Sequence, residues 1–186
     1  MTGILITGAN GVVGYQLRER LIRERVNYCS VSRTPTESGD KNIVQWDLHQ
    51  QIDDQVRQQL LEAKLDTLIH CAPIWLLPNH LENLISLGIT RIVAFSSSSV
   101  LSKQKSKDSS ENQLVQQLIE GEEALKQICI DHNIAFTIFR PSMIYGYGRD
   151  QNVSHIANFI KKSGFMILVG QATCLLYTSP SPRDRG

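Results

Sequence analysis

The 186-residue sequence predicts an α/β fold, a doubly wound parallel sheet with helices on both faces. Three observations carry that expectation. Short apolar runs of strand length alternate with amphipathic stretches of helical period along the chain. The first run leads through a glycine-rich turn straight into a helix. The 41% hydrophobic content at this length is enough for one buried core and too little for two full domains.

Ile4 to Thr7 reads as the first strand. From Gly11 to Arg25 the apolar residues Val13, Leu17, Leu21 and Ile22 recur at helical spacing, with Arg18, Glu19, Arg23 and Glu24 expected on the other, solvated face. Val26 to Val31 reads as the second strand and Ile43 to Trp46 as the third. Ile52 to Glu62 has helical period, and Thr67 to His70 is strand-like. A helix from about Asn79 to Leu87 is expected to end at Gly88, a C-cap signal. Ile92 to Phe95 gives the fifth strand, the polar stretch Ser96 to Ser110 a loop, and Glu111 to His132 a long helix. Ile134 to Phe139 then reads as the sixth strand and Val153 to Lys162 as a last helix.

With 19 basic and 18 acidic residues intermixed and a net charge of +1, no polyanion-binding face is expected, so nucleic acid is not an expected partner. Cys29, Cys71, Cys129 and Cys174 have neither CxxC nor metal-ligand spacing, which predicts no metal site and fits a reducing cytoplasm. No apolar run approaches the roughly 18 to 20 residues that span a bilayer. The sequence therefore predicts a cytoplasmic protein with no membrane segment; its oligomeric state is left open.

Thr7-Gly8-Ala9-Asn10-Gly11-Val12-Val13-Gly14 follows the first strand and opens the first helix. Gly8 permits a sharp turn, Gly11 lets backbone approach a diphosphate unobstructed, and Gly14 lets the helix pack closely on the sheet. Exposed amides and the helix dipole at that end favour an anion. Strand before and helix after give three glycines the context that makes them a dinucleotide-binding signal, and the sheet is accordingly expected to be Rossmann-type. The spacing Thr-Gly-x-x-Gly-x-x-Gly resembles that of the short-chain dehydrogenase/reductases.

Further segments resemble the extended and atypical members of that superfamily, the NAD-dependent epimerase/dehydratase type. At the end of the second strand, Ser32 and Arg33 stand where an acidic residue would accept from the ribose hydroxyls; they could instead contact a 2′-phosphate, favouring NADP over NAD, or Arg33 could be an ordinary surface arginine. Trp46-Asp47-Leu48 resembles the family's adenine-holding pair, with a helix-capping role for Asp47 as the alternative. Leu68-Ile69-His70-Cys71-Ala72 resembles the strand-four segment, which implies Cys71 and Ala72 beside the cofactor ribose and leaves His70 equally readable as a satisfied core histidine. Arg91 to Val100 resembles the strand-five serine motif, in which Ser97 would hydrogen-bond the reacting substrate oxygen; a capping serine turn is the alternative. Phe139-Arg140-Pro141-Ser142-Met143-Ile144-Tyr145-Gly146 resembles the segment after strand six, which implies Pro141 near the nicotinamide. The cofactor-binding set implied is thus Gly8, Asn10, Gly11, Val12, Val13, Gly14, Ser32, Arg33, Asp47, Leu48, Cys71, Ala72 and Pro141.

The resemblance breaks at the acid/base pair. Hydride-transferring members carry Tyr and, four residues on, Lys on one helix face, the ammonium lowering the phenol's pKa. Alignment on Glu120-Gly121-Glu122 puts Leu114 and Leu118 at those two places, and leucine neither moves a proton nor bonds a hydroxyl. Tyr145 and Arg149 have the spacing but sit in loop-like sequence. Tyr145 and Tyr147 are candidate replacement donors by position. The segment Pro73 to Pro78 is compressed, and Trp75 is either at the pocket mouth or a packing aromatic.

Cys174-Leu-Leu-Tyr-Thr-Ser-Pro-Ser-Pro-Arg-Asp184 reads as the translation of a common transposase-based sequencing adapter. This predicts a truncated gene whose native sequence stops near Gly170 to Thr173, a binding domain over 1–173, and a substrate lobe lost from the C-terminal side; a polar tail with two Ser-Pro turns is the alternative. The resemblance implies an NAD(P)-binding protein with a small-molecule substrate, a nucleotide-linked sugar or comparable carbonyl compound. A non-catalytic NADP(H)-sensing regulatory or scaffold protein is the second expectation.

Overall fold

The computed structural model describes residues 3–34, 42–102, 109–146 and 153–164. It contains six strands, β1 (Ile4–Thr7), β2 (Tyr28–Ser32), β3 (Ile43–Gln45), β4 (Thr67–His70), β5 (Arg91–Phe95) and β6 (Ala135–Phe139). They form one all-parallel sheet in the order β3-β2-β1-β4-β5-β6. The helices are α1 (Val12–Glu24), α2 (Asp54–Ala63), α3 (Pro78–Ser86), α4 (Ser99–Ser102), α5 (Ser109–Asp131) and α6 (Val153–Ser163), with a 3₁₀ turn at Ile74–Leu76. The strand order is that of the Rossmann-type sheet, with its switch point between β1 and β4.

Alternation along the strands assigns the layers. Leu5, Leu68 and Ile92 enter the larger core with α2, α3 and α5, through side chains such as Leu60, Leu84 and Leu125. Ile6 points the other way, into a smaller core with Leu21 of α1 and with Tyr28.

Helix boundaries follow local chemistry. The Asp53 carboxylate accepts from the Val56 amide at 2.7 Å, so α2 starts one residue later rather than at Ile52. Arg25 and Lys64 stop α1 and α2 in left-handed conformation. Leu87 caps α3, and Gly88 follows it with φ +107°.

Three sequence expectations are corrected. Arg18 is buried and Ile22 is 49% exposed, the reverse of the expected faces of α1. Gly14 presses the start of the helix onto the β1 turn, which turns residues 14, 18 and 21 inward together. The second strand begins at Tyr28, because Val26 and Asn27 complete the helix exit: the Val26 amide bonds Leu21 O and Asn27 O accepts from Ile4. The stretch after β5 is not all loop, since Ser99 opens the short α4. Tyr147, Arg149 and the segment from Cys174 lie outside the described residues.

Candidate functional site

The phosphate-type turn is held shut by contacts that leave no room for side chains. Gly8 has φ +72°, and a Cβ there would meet Ala72 N and the Cys71 carbonyl carbon at 2.6 Å. A Cβ on Gly14 would meet Gly8 O at 2.3 Å. These two glycines are therefore structural, locking β1, α1 and the exit of β4 together. Gly11 differs. Its φ is −70°, it is exposed, and a Cβ there would approach only Gly8 O at 3.3 Å. Gly11 stands at the exposed lip of the turn with its own amide donating to Gly8 O at 3.0 Å, so the amides that follow it in the first turn of α1 are the ones placed to meet an anion.

From this turn a cleft of about 640 Å³ runs across the switch point. Gly8, Asn10 and Gly11 line it on one side, Ser32 and Arg33 at the end of β2, Asp47 and Leu48 after β3, and Cys71 and Ala72 after β4. Four separate segments of the expected cofactor set, scattered from residue 8 to residue 72, thus converge on one cavity. Val12, Val13 and Gly14 lie in the first turn of α1, behind its lining. Ser97 and Pro141 lie outside the lining as well, although the Ser98 amide donates to Pro141 O at 3.0 Å and so brings their two segments together.

Side chains at the β2 end are already engaged. Asn10 Nδ2 donates to Ser32 Oγ at 2.7 Å, and Ser32 Oγ donates to Thr34 O at 2.8 Å. That commits the Ser32 proton and leaves the exposed Arg33 guanidinium as the cation of this corner. Asp47 does not cap a helix; Asp53 does. The Asp47 carboxylate accepts from the His49 amide at 3.0 Å and pairs with its imidazole at 2.8 Å. Those bonds, the amide first, hold its pKa below the ordinary value, with Arg33 adding to the effect. Trp46 and His49 also line the cleft. The sequence reading passed over His49, whose only signal was its place two residues after Asp47.

Beneath the floor, His70 is fully buried and both ring nitrogens are partnered, Nδ1 with Thr7 Oγ1 at 2.7 Å and Nε2 with Pro73 O at 3.1 Å. Nε2–H donates to the carbonyl and Nδ1 accepts from the hydroxyl. Burial lowers its pKa to about 4, so it stays neutral and structural, tying the end of β1 to the β4 exit. Burial likewise pushes the Cys71 thiol to about 12, which leaves it without thiolate reactivity. A second buried histidine, His80, donates from Nε2 to Leu48 O at 2.7 Å and sits edge-on to Trp46, with ring centroids 4.8 Å apart.

At the other end of the sheet, Ser97 Oγ donates to Ser99 Oγ at 3.0 Å and accepts from the Ser99 amide at 3.2 Å, a serine turn that leads into α4. Leu118 is buried in the larger core and Leu114 is exposed. Glu122 is buried on the same helix and receives Arg140 Nε at 2.9 Å and 3.1 Å, together with a short contact from Nη2. Burial alone would raise the Glu122 pKa, but the Arg140 hydrogen bonds bring it below the ordinary value. Tyr145 is exposed and does not reach the cleft lining. Among the described residues no group of His, Cys, Asp or Glu could hold a metal, and no helix is long and apolar enough to cross a membrane.

The sequence model of the NAD dependent epimerase/dehydratase family matches residues 4–179. No curated protein matches. Among solved structures the chain is similar to an NAD-dependent NDP-hexosamine 5,6-dehydratase of tunicamycin biosynthesis, with TM-score 0.68, 16% identity, and coverage of 88% of this chain and 62% of that one. It is also similar to the Bordetella bronchiseptica enzyme WbmH in complex with NAD+, with TM-score 0.65, 16% identity, and coverage of 88% and 64%. For the UDP-glucose 4-epimerase of Thermotoga maritima with UDP-glucose, the TM-score is 0.61 at 17% identity, over 87% of this chain and 63% of that one. A short-chain dehydrogenase/reductase superfamily protein from Agrobacterium tumefaciens is covered over only 48% of its length. The chain thus spans about half to two thirds of these proteins.

Proposed function

Because the chain belongs to the NAD dependent epimerase/dehydratase family, we propose that its cleft holds NAD(P). The diphosphate lies on the amides of Val12 and Val13 at the start of α1, beside Gly11 and in the turn that Gly8, Asn10 and Gly14 shape. Adenine lies against Leu48 with its amino group on the Asp47 carboxylate, and the adenosine ribose passes Cys71 and Ala72. Pro141 borders the nicotinamide. The observation that carries this reading is the contrast between Gly8 and Gly14, wedged against backbone at 2.3 to 2.6 Å, and Gly11, which is exposed at the cleft and whose added Cβ would meet only Gly8 O at 3.3 Å.

NADP is the preferred form on this proposal, because Arg33 is the exposed cation at the ribose corner and no carboxylate stands in its place. Arg33→Ala is expected to weaken NADPH binding about 10- to 100-fold, as loss of a charge-assisted hydrogen bond does, and to leave NADH binding unchanged. Equal losses for both nucleotides would remove Arg33 from that role.

Residues 1–173 constitute the dinucleotide-binding domain, and the substrate class is a nucleotide-linked sugar or similar carbonyl compound, as in the names of the similar structures. Bound NAD(P) supplies hydride transfer; the chain supplies orientation. Ser97 would polarise the substrate oxygen after releasing Ser99. A second reading, a non-catalytic NADP(H)-sensing protein working in the cytoplasm, is favoured by one observation: α5 presents Leu114 and Leu118 where a proton donor and a ribose-binding cation are needed. Calorimetry with oxidised and reduced nicotinamide nucleotides tests the shared claim, and absence of binding to folded protein would reject it. Epimerisation or dehydration of UDP- and dTDP-sugars, or a change in NADPH absorbance, would then separate the two readings.

A further inference from the structure

The lining of the cleft runs from the glycine turn through the β2, β3 and β4 exits to Trp75 and Leu76 of the 3₁₀ turn. That turn is seated directly on α5: a Cβ on Gly121 would meet Trp75 Cα at 2.8 Å and Trp75 N at 2.9 Å. Only a glycine permits such an approach, and it locks the backbone under Trp75 to the helix. Leu118, one turn earlier on α5, is buried in the same core as Ile74 and Leu77. The part of α5 nearest the cleft therefore offers hydrocarbon where a ribose hydroxyl would need a donor or acceptor.

The two ends of the proposed ligand meet opposite surroundings. At the adenosine end there are the exposed glycine turn at the start of α1, an exposed guanidinium, a carboxylate and an apolar floor. At the nicotinamide end, Ser97 spends both its donor and an acceptor position on Ser99. Leucine occupies both family positions on α5. Among the described residues, the charged and polar side chains that line the cleft stand at the glycine turn and after β2 and β3.

We propose that the site recognises the adenosine-diphosphate end of its ligand and does not grip nicotinamide, so that it is blind to redox state and accepts ADP-ribose-type nucleotides as well as the dinucleotide. This inference rests on the cleft binding NAD(P) through the glycine turn, and it changes what the ligand class is. A site that does not hold nicotinamide cannot read the ratio of reduced to oxidised cofactor. It can report the total adenine dinucleotide or the ADP-ribose derived from it.

The test titrates the full chain by calorimetry with NADP+, NADPH and 2′-phospho-ADP-ribose, alongside NAD+, NADH and ADP-ribose. The expected result is that each dinucleotide binds within about threefold of its nicotinamide-free counterpart, a difference under about 0.7 kcal/mol, and that oxidised and reduced forms agree to the same margin. A dinucleotide bound more tightly than that margin, or a larger redox preference, overturns the proposal while leaving cofactor binding intact. No heat with any of the six nucleotides rejects cofactor binding itself. Saturation-transfer NMR gives an independent readout. Adenine protons should receive saturation and nicotinamide protons little, and equal saturation of the two rings would overturn the inference. Trp75→Ala supplies a third comparison: if Trp75 closes the cleft, the variant gains affinity for the dinucleotide relative to its counterpart.

Discussion

The β3-β2-β1 half of the sheet and the β5-β6 half are finished to different degrees. Every residue of β2 is buried, as are Leu5, Ile6 and Thr7 of β1, and α1 covers the second face there. In β6, Ala135, Thr137 and Phe139 are exposed on that same side of the sheet, and α6 buries none of its residues. Polar groups follow the same division. His70, Asn10 and Ser32 are tied into a network around the glycine turn, while the far end has a serine turn bonded to itself and two leucines in place of an acid/base pair. The cleft lies in the half whose packing is complete. In the other half the Glu122–Arg140 pair ties α5 to the end of β6.

That contrast can be broken most forcefully at Gly14. Its added side chain would strike backbone at 2.3 Å, so Gly14→Val is expected to cost about 3 kcal/mol or more and to abolish nucleotide binding together with the fold. Urea unfolding measures it, and a stable Gly14→Val protein would show that the turn is not locked. A comparable effect comes from acid. His70 titrates near 4 when folded against an ordinary 6.5, so the unfolded chain binds more protons between those values and stability rises with pH there. The contribution is complete above pH 6.5 and falls away by about 3 kcal/mol as pH drops toward 4. In His70→Gln this dependence should flatten; an unchanged slope would assign it to other groups.

Arg140→Ala comes next, with about 2 to 3 kcal/mol lost, because it leaves the buried Glu122 carboxylate with only Lys126, 3.9 Å away, as a counter-ion. Glu122→Gln should cost less, since the Arg140 side chain reaches solvent. It should also remove the part of the acid sensitivity that appears below about pH 4.5, where the depressed Glu122 pKa has its effect. Equal losses for the two variants would mean that the pair is not asymmetric in burial. Smaller still are two substitutions that should barely alter unfolding. Gly11→Leu is expected to change stability by no more than about 0.5 kcal/mol while eliminating NADPH binding, which separates ligand contact from folding. Ile156→Ser on α6 should change stability by less than about 0.5 kcal/mol, and a larger loss would mean that α6 is covered in solution.

Much of this was legible from local pattern. Strand and helix order, the all-parallel sheet and the glycine turn follow from apolar periodicity and from glycine spacing, both properties of a dozen residues at a time. Nine of the proposed ligand residues line one cleft because the ends of β1, β2, β3 and β4 in a parallel sheet must open on the same edge. Other features were not legible. The inward turn of Arg18 depends on how tightly Gly14 packs, the role of His80 on its reaching Leu48 from 32 residues away, and the place of Trp75 in the cleft lining on its seating over Gly121.

Local sequence therefore determined which secondary structures form, and in which order, because hydrophobic period and backbone permissiveness are short-range physics. It also determined that a glycine-rich turn would open the first helix. Tertiary structure decided which glycines are wedged against backbone, which histidine is silenced by burial, and which segments line the cavity. Those outcomes depend on distances between segments far apart in the chain, and only packing sets such distances.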